Sequence, residues 1–275
     1  MPFTPSHAVV ALPLVRTPLI PAAIAVGAMT PDLPLFVRGT PFTYAISHDP
    51  AWIVITSVVA LALLLVWRSV LRPAVRELAP RRLADRLPAA WDAGAAAGAR
   101  ETLVGERPAR HALLLALSLV IGAATHIAWD AFTHEGRAGT AWIPALDAFW
   151  GPLTGYKWLQ YGSSVLGLVI LAIVGAWWLI RRSHVTPVAR VLPDAVRWAW
   201  WLSLPVLLLA ATAIGYAAFG PFDREFTPQH LAYRVLPPAC AIWGVVTLAL
   251  AVVVAVLRRD GRGRRDAQPS SPQPA

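Results

Sequence analysis

The chain has 275 residues, 57% of them hydrophobic, and a mean hydropathy of +0.55. That excludes an ordinary soluble domain, because several apolar runs approach the roughly 20 residues that cross a bilayer. A formal charge of +9 would suggest nucleic acid in a soluble protein. Here the arginines lie beside apolar runs, so membrane topology and anionic lipid headgroups account for them and no nucleic-acid partner is expected.

In chain order, Thr4-Pro5 reads as a helix N-cap followed by proline at the first helical position. The apolar run behind it is broken by Pro13, Pro18 and Pro21 and carries Arg16 in its middle. Two short helices, about His7–Leu14 and Pro21–Met29, joined by a turn at Val15–Ile20, are expected in preference to a sixth span. Such a hairpin returns Asp32 to the side where His7 starts, whereas a straight helix would separate the two by about 37 Å. No basic region opens the chain, so no cleaved signal peptide is expected.

Five clear spans follow, at about residues 52–70, 111–131, 163–180, 198–219 and 238–257. Between them lie an arginine-rich loop at about 72–110, in which 81–87 could be surface helix, and an aromatic loop at 137–162 of the kind found at membrane interfaces. Gly136 suits a helix C-cap. The expected fold is all-α: a polytopic integral membrane helix bundle, five spans plus the N-terminal helical hairpin. Residues 1–257 form one membrane-embedded domain, and residues 258–275 form a disordered basic tail. Segments 68–110, 181–197 and 258–265 carry eighteen Lys and Arg against five in 31–51, 132–162 and 220–237. The rich side is expected to be cytoplasmic, with the C-terminus inside.

The chemistry centres on His126-Ile-Ala-Trp-Asp130-Ala-Phe-Thr-His134. Steps of four on a helix turn the face by only about 40°, so the three polar groups point roughly one way, spread over about 12 Å. Ionisable groups in an apolar span are expensive and face a polar cavity or each other. With His48 and the hairpin's His7 and Asp32 on the same side, six candidate metal ligands converge: His7, Asp32, His48, His126, Asp130 and His134. The single cysteine, Cys240, excludes a disulfide framework or a thiolate zinc site within the chain. Imidazole and carboxylate suit a divalent metal, zinc foremost with manganese or iron as alternatives, as one ion or as two about 3.5–4 Å apart. His126 and Asp130 are the expected catalytic pair. Asp49, Glu135 and Asp147 are supporting candidates that no spacing ranks. A metal-ion carrier, a bis-histidine haem protein and a structural membrane protein remain open on these residues.

The opening Pro2-Phe3-Thr4-Pro5-Ser6-His7, the Gly27-Ala28-Met29-Thr30-Pro31-Asp32 turn, Ser47-His48, and the His126 to His134 stretch with its Trp129-Asp130 and Phe132-Thr133 pairs resemble a known family. It is the bacterial membrane-protein family called domain of unknown function 4184, and the likeness covers about residues 2–255. That family is similar to the YdjM-type inner-membrane proteins, described as metal-dependent hydrolases, and its His-x-x-x-Asp pair is similar to that of zinc-dependent phospholipase C. The resemblance implies a helical metal site made of the six residues above. It also implies phosphodiester hydrolysis. Taken with the charge count, the expected activity is hydrolysis of a lipid-linked or phosphodiester substrate at the outer face of a bacterial cytoplasmic membrane.

Overall fold

The structure, a computed structural model, describes residues 4–182 and 186–266, with side chains described through Arg259. Pro2 and Phe3 of the opening motif, and residues 267–275 of the expected tail, lie outside the described residues.

Residues Thr4–Leu14 form a 3-10 segment, and Pro21–Met29 forms α1. The prolines divide the run into a hairpin, as the sequence predicted. Pro21 opens α1 at a position where the missing N–H costs nothing. A second 3-10 turn, Thr30–Leu35, carries Asp32. Next come α2 (Tyr44–Ser47), α3 (Ile53–Val66), a π-helical turn at Trp67–Leu71, α4 (Arg72–Leu78), α5 (Arg81–Ala84) and α6 (Ala95–Leu103). The long helix α7 (Pro108–Thr133) is followed by α8 (Ala138–Trp142) and a two-residue-per-strand hairpin, β1 (Phe149–Trp150) with β2 (Leu153–Thr154). Helices α9 (Gly155–Ile180), α10 (Asp194–Phe219) and α11 (Pro228–Asp266) complete the chain.

Among the described residues, five helical stretches are long and apolar enough to cross a bilayer: Pro50–Leu78, Pro108–Thr133, Gly155–Ile180, Asp194–Phe219 and Pro228–Arg259. Their outward faces stay bare: Ile173 is 62% exposed, Leu209 72% and Ile214 69%. Apolar patches of that kind are rarely left against water, so lipid covers them. The chain is therefore an all-α, multi-pass membrane protein. Three spans run well past their expected limits, among them α11, which starts at Pro228 where 238 was expected. α9 starts at Gly155, eight residues before 163, so much of the aromatic loop is helix. The first span runs on to Leu78, so the arginine-rich stretch begins inside a helix.

Contacts divide the chain into two units, residues 1–66 with 100–182, and residues 67–99 with 183–275. In the first, α1 and α7 cross at two glycines. A Cβ on Gly27 would lie 2.5 Å from the Leu119 carbonyl oxygen, and one on Gly122 would lie 2.3 Å from that of Ile24. Only glycine permits this approach, as at small-residue crossings between membrane helices. Ser118 of α7 reinforces it: its hydroxyl accepts from the Ile20 N–H at 2.9 Å, which is otherwise an orphan donor at the start of α1.

The second unit has a small apolar core of Ala74, Leu78, Leu192, Ala251 and Val254. Beside it Glu77 is wholly buried. Its carboxylate accepts from the Val191 and Leu192 N–H groups at 3.1–3.2 Å and pairs with Arg197 at 3.3 Å and Arg258 at 3.4 Å. Arg76, also buried, donates to the Ala84 carbonyl at 3.0 Å and pairs with Asp92.

Candidate metal centre

The centre is assembled in the first unit from four pieces of chain. α7 contributes His126 and Asp130, one turn apart on its buried face. The α1–α7 crossing brings the Ala28 carbonyl within 2.7 Å of His126 Nδ1. A carbonyl only accepts, so Nδ1 carries the hydrogen and, in the neutral ring, Nε2 carries a lone pair. His48 ends the short helix α2, and its Nδ1 lies 3.1 Å from the Tyr44 carbonyl and 3.0 Å from Ser47 Oγ. Ser47 donates its own hydrogen to the Pro31 carbonyl at 2.7 Å. His48 is thus fixed in the same tautomer, with Nε2 again a lone pair. Asp32, on the second 3-10 turn, accepts the Thr4 hydroxyl on Oδ2 at 2.7 Å and turns Oδ1 inward.

These four side chains are all buried, and their ligand atoms lie within 4.8 Å of one another. The two Nε2 atoms are 3.2 Å apart. His48 Nε2 lies 3.4 Å from Asp130 Oδ2 and 4.0 Å from Asp32 Oδ1; His126 Nε2 lies 3.5 and 3.7 Å from the same oxygens. With both imidazoles neutral, all four groups turn acceptors toward one another. Asp32 Oδ1 and both Asp130 carboxylate oxygens have no hydrogen-bond partner among the described residues. Buried acceptors facing one another are costly unless a cation joins them. The spacing fits one: a tetrahedron with bonds of 2.0–2.1 Å has edges of about 3.3 Å. Burial, with the Asp130 charge adding to it, pushes the Asp32 carboxyl above the usual carboxylate range, opposed chiefly by His126 and the Thr4 hydroxyl, and a cation at the centre would add to that opposition. The Asp32, His48, His126 and Asp130 cluster can hold a metal ion.

His7 and His134 flank the cluster differently. His7 stacks on the His126 ring with centroids 3.9 Å apart, and its unpartnered Nε2 lies 3.9 Å from Asp130 Oδ1. His134 has both nitrogens occupied. Nδ1 meets the Asp130 carbonyl at 3.2 Å and Oδ2 at 3.5 Å, and Nε2 meets the Gln160 amide at 3.2 Å. The even helical spacing ends before His134, because α7 stops at Thr133 and His134 is an extended cap residue. Gly136 has the positive φ of 67° expected of a chain reversal, but it stands two residues beyond that cap. Burial holds the His134 imidazole below its ordinary range, so the ring is neutral and serves as a directional donor to Asp130.

The supporting acids lie elsewhere. Asp49 is exposed and caps the turn Pro50–Trp52 through the Ala51 N–H at 2.9 Å. Glu135 is exposed and accepts from the Tyr156 hydroxyl at 3.2 Å. Asp147 is exposed at the end of another short turn. Sequence reasoning missed Gln160. Its signal was the stripe Gln160, Ser164, Gly167, at helical spacing on the buried face of α9. Next to His7 lies a cavity of about 380 Å³, lined mainly by apolar groups including Val10, Trp129 and Ile170.

Fold and site together define a polytopic membrane protein with a buried His/Asp cluster able to hold a metal ion. The chain belongs to the family described as Domain of unknown function (DUF4184), which it matches over residues 1–257. No curated protein and no solved structure matches it significantly.

Proposed function

We propose that this protein is a metal-dependent hydrolase acting on a lipid-linked or phosphodiester substrate at the outer face of a bacterial cytoplasmic membrane. The observation that carries this reading is the acceptor-only centre: two imidazoles locked with Nε2 inward, and two carboxylates without partners. Asp32, His48, His126 and Asp130 would hold a divalent ion, zinc foremost, with manganese or iron as alternatives. Such an ion supplies a nucleophile at neutral pH and polarises an ester oxygen. His7 stands between the cluster and the cavity, with an unpartnered Nε2 that would donate to an incoming substrate oxygen when it carries the hydrogen, or would help hold a second ion when it does not. His134, backed by Gln160, orients Asp130. The apolar cavity beside His7 suits the hydrocarbon part of a membrane substrate and keeps water from it.

The test is turnover of a chromogenic phosphodiester and of a phospholipid by protein in nanodiscs. Activity that is lost to chelator, restored by zinc or manganese, and absent in His126→Ala is the expected result. Turnover that chelation leaves intact, or that His126→Ala retains, contradicts the reading. The location of His126 and Asp130 in a spanning helix also suits a metal-ion carrier. Metal flux into proteoliposomes without any ester turnover would select that alternative.

A further inference from the structure

The second unit contains a pocket of about 710 Å³ that the metal chemistry does not use. We propose that it binds one anionic phospholipid, its phosphate on Arg81 and Arg190 and its hydrocarbon along Trp198 and Leu202.

The charge balance at the pocket comes first. Glu77, beneath it, is fully engaged by Arg197, Arg258 and two backbone N–H groups. Asp194 on the rim pairs with Arg197. That leaves Arg190 and Arg81. The Arg190 guanidinium donates to two backbone carbonyls, of Glu77 at 3.1 Å and Ala79 at 2.7 Å. Carbonyls fix its position without cancelling its charge, and the five donors of a guanidinium are not exhausted by two bonds. Burial, then the positive charge of Arg197, holds Arg190 below the usual guanidinium range, with Arg81 adding to the effect against Glu77 and Asp194. Arg81 is exposed and has no ion-pair partner among the described residues. Two cations thus line one pocket without an ion pair among the described residues, and a planar fork is the geometry that grips phosphate.

The wall opposite is apolar. Trp198 and Leu202 lie one turn apart on α10 and are 67% and 58% exposed. Trp201 is pinned beside them by its Nε1–H, which donates to the Leu78 carbonyl at 2.9 Å. α10 is a membrane span that starts at Asp194, so this wall lies at the level where headgroups give way to acyl chains. Free phosphate has no use for such a wall, but a phospholipid fits both halves. The charge count places this end on the cytoplasmic side, where anionic lipids gather. The expectation that arginine-rich segments meet acidic headgroups is thereby narrowed to one pocket and one lipid, independently of any metal.

Native mass spectrometry of the full-length protein, titrated with phosphatidylglycerol or phosphatidylcholine, tests this. The wild type should retain one phosphatidylglycerol that survives excess inorganic phosphate, and no phosphatidylcholine. Arg81→Gln alters an exposed residue and should weaken that binding about fivefold, with Arg81→Gln/Arg190→Gln weaker still. Trp198→Ala, with every charge kept, should also weaken it. A wild-type thermal unfolding transition in detergent shows that each variant is folded. Equal retention by wild type and by folded Arg81→Gln, or displacement of the lipid by inorganic phosphate, would overturn the proposal.

Discussion

At the residue scale, the centre depends on which nitrogen each histidine turns inward. His126 and His48 spend Nδ1 on main-chain carbonyls and present Nε2; His134 spends both nitrogens on Asp130 and Gln160. Two kinds of histidine variant therefore differ. His48→Ala should remove metal binding outright. His134→Ala should leave a metal site weakened by roughly 10- to 100-fold, the usual cost of losing a group that orients a ligand. Metal dissociation constants from competition with a chromogenic chelator measure both, and equal loss in the two variants would return His134 to the ligand set. The His126-x-x-x-Asp130 pair was legible in the sequence, because a helix puts those positions on one face. The role of His134 was not, because the spacing continues past Thr133 while the helix does not. Gln160 was hidden in an aromatic stretch that reads as membrane interface.

At the element scale, the prolines at 13, 18 and 21 made the hairpin legible, and the hairpin places Asp32 and His7 beside α7. The crossing that fixes them was not legible: Gly27 and Gly122 look unremarkable in an apolar run, and only the backbone approach shows why neither can carry a Cβ. Gly122→Val should force α1 from α7, lower stability by about 1–3 kcal/mol as overpacking does, and lengthen the His126–Ala28 hydrogen bond. Thermal unfolding in detergent combined with metal titration reads this; a variant with wild-type stability and affinity would show that the crossing does not position the site. In the other unit, Arg68, Arg72 and Arg76 recur every four residues, yet the stretch reads as a loop because charge hides its helical continuation. Glu77→Ala removes the carboxylate shared by Arg197 and Arg258 and leaves the Val191 and Leu192 N–H groups without their acceptor; Asp194 and Asp92 still pair with the two arginines, so the cost should be about 1–3 kcal/mol. Chemical unfolding measures it, and a loss below about 1 kcal/mol, typical of a surface pair, would argue against a structural network there.

At the scale of the whole molecule, apolar run length gave the five spans and the all-α class, because the bilayer demands them of any chain this apolar. Their ends shifted where side chains pair with protein instead of facing lipid, as at Gln160 and Glu77. The arginine asymmetry further predicts orientation. With Cys240 replaced by alanine, Thr40→Cys should react with an impermeant thiol reagent from outside intact cells, and Ala89→Cys should react only after lysis. The reverse pattern would put the histidine cluster on the cytoplasmic side and exclude an outer-face substrate.

A metal ion is expected to join Asp32, His48, His126 and Asp130. The most direct test is the metal content of the purified wild type and of His126→Ala/Asp130→Ala, prepared without chelator and assayed for zinc, manganese, iron, nickel and copper. The account predicts at least one equivalent of divalent metal per chain in the wild type and none in a variant that still inserts and elutes as a folded protein. Absence of metal from the wild type even after loading with zinc or manganese, or full occupancy in the variant, would contradict it.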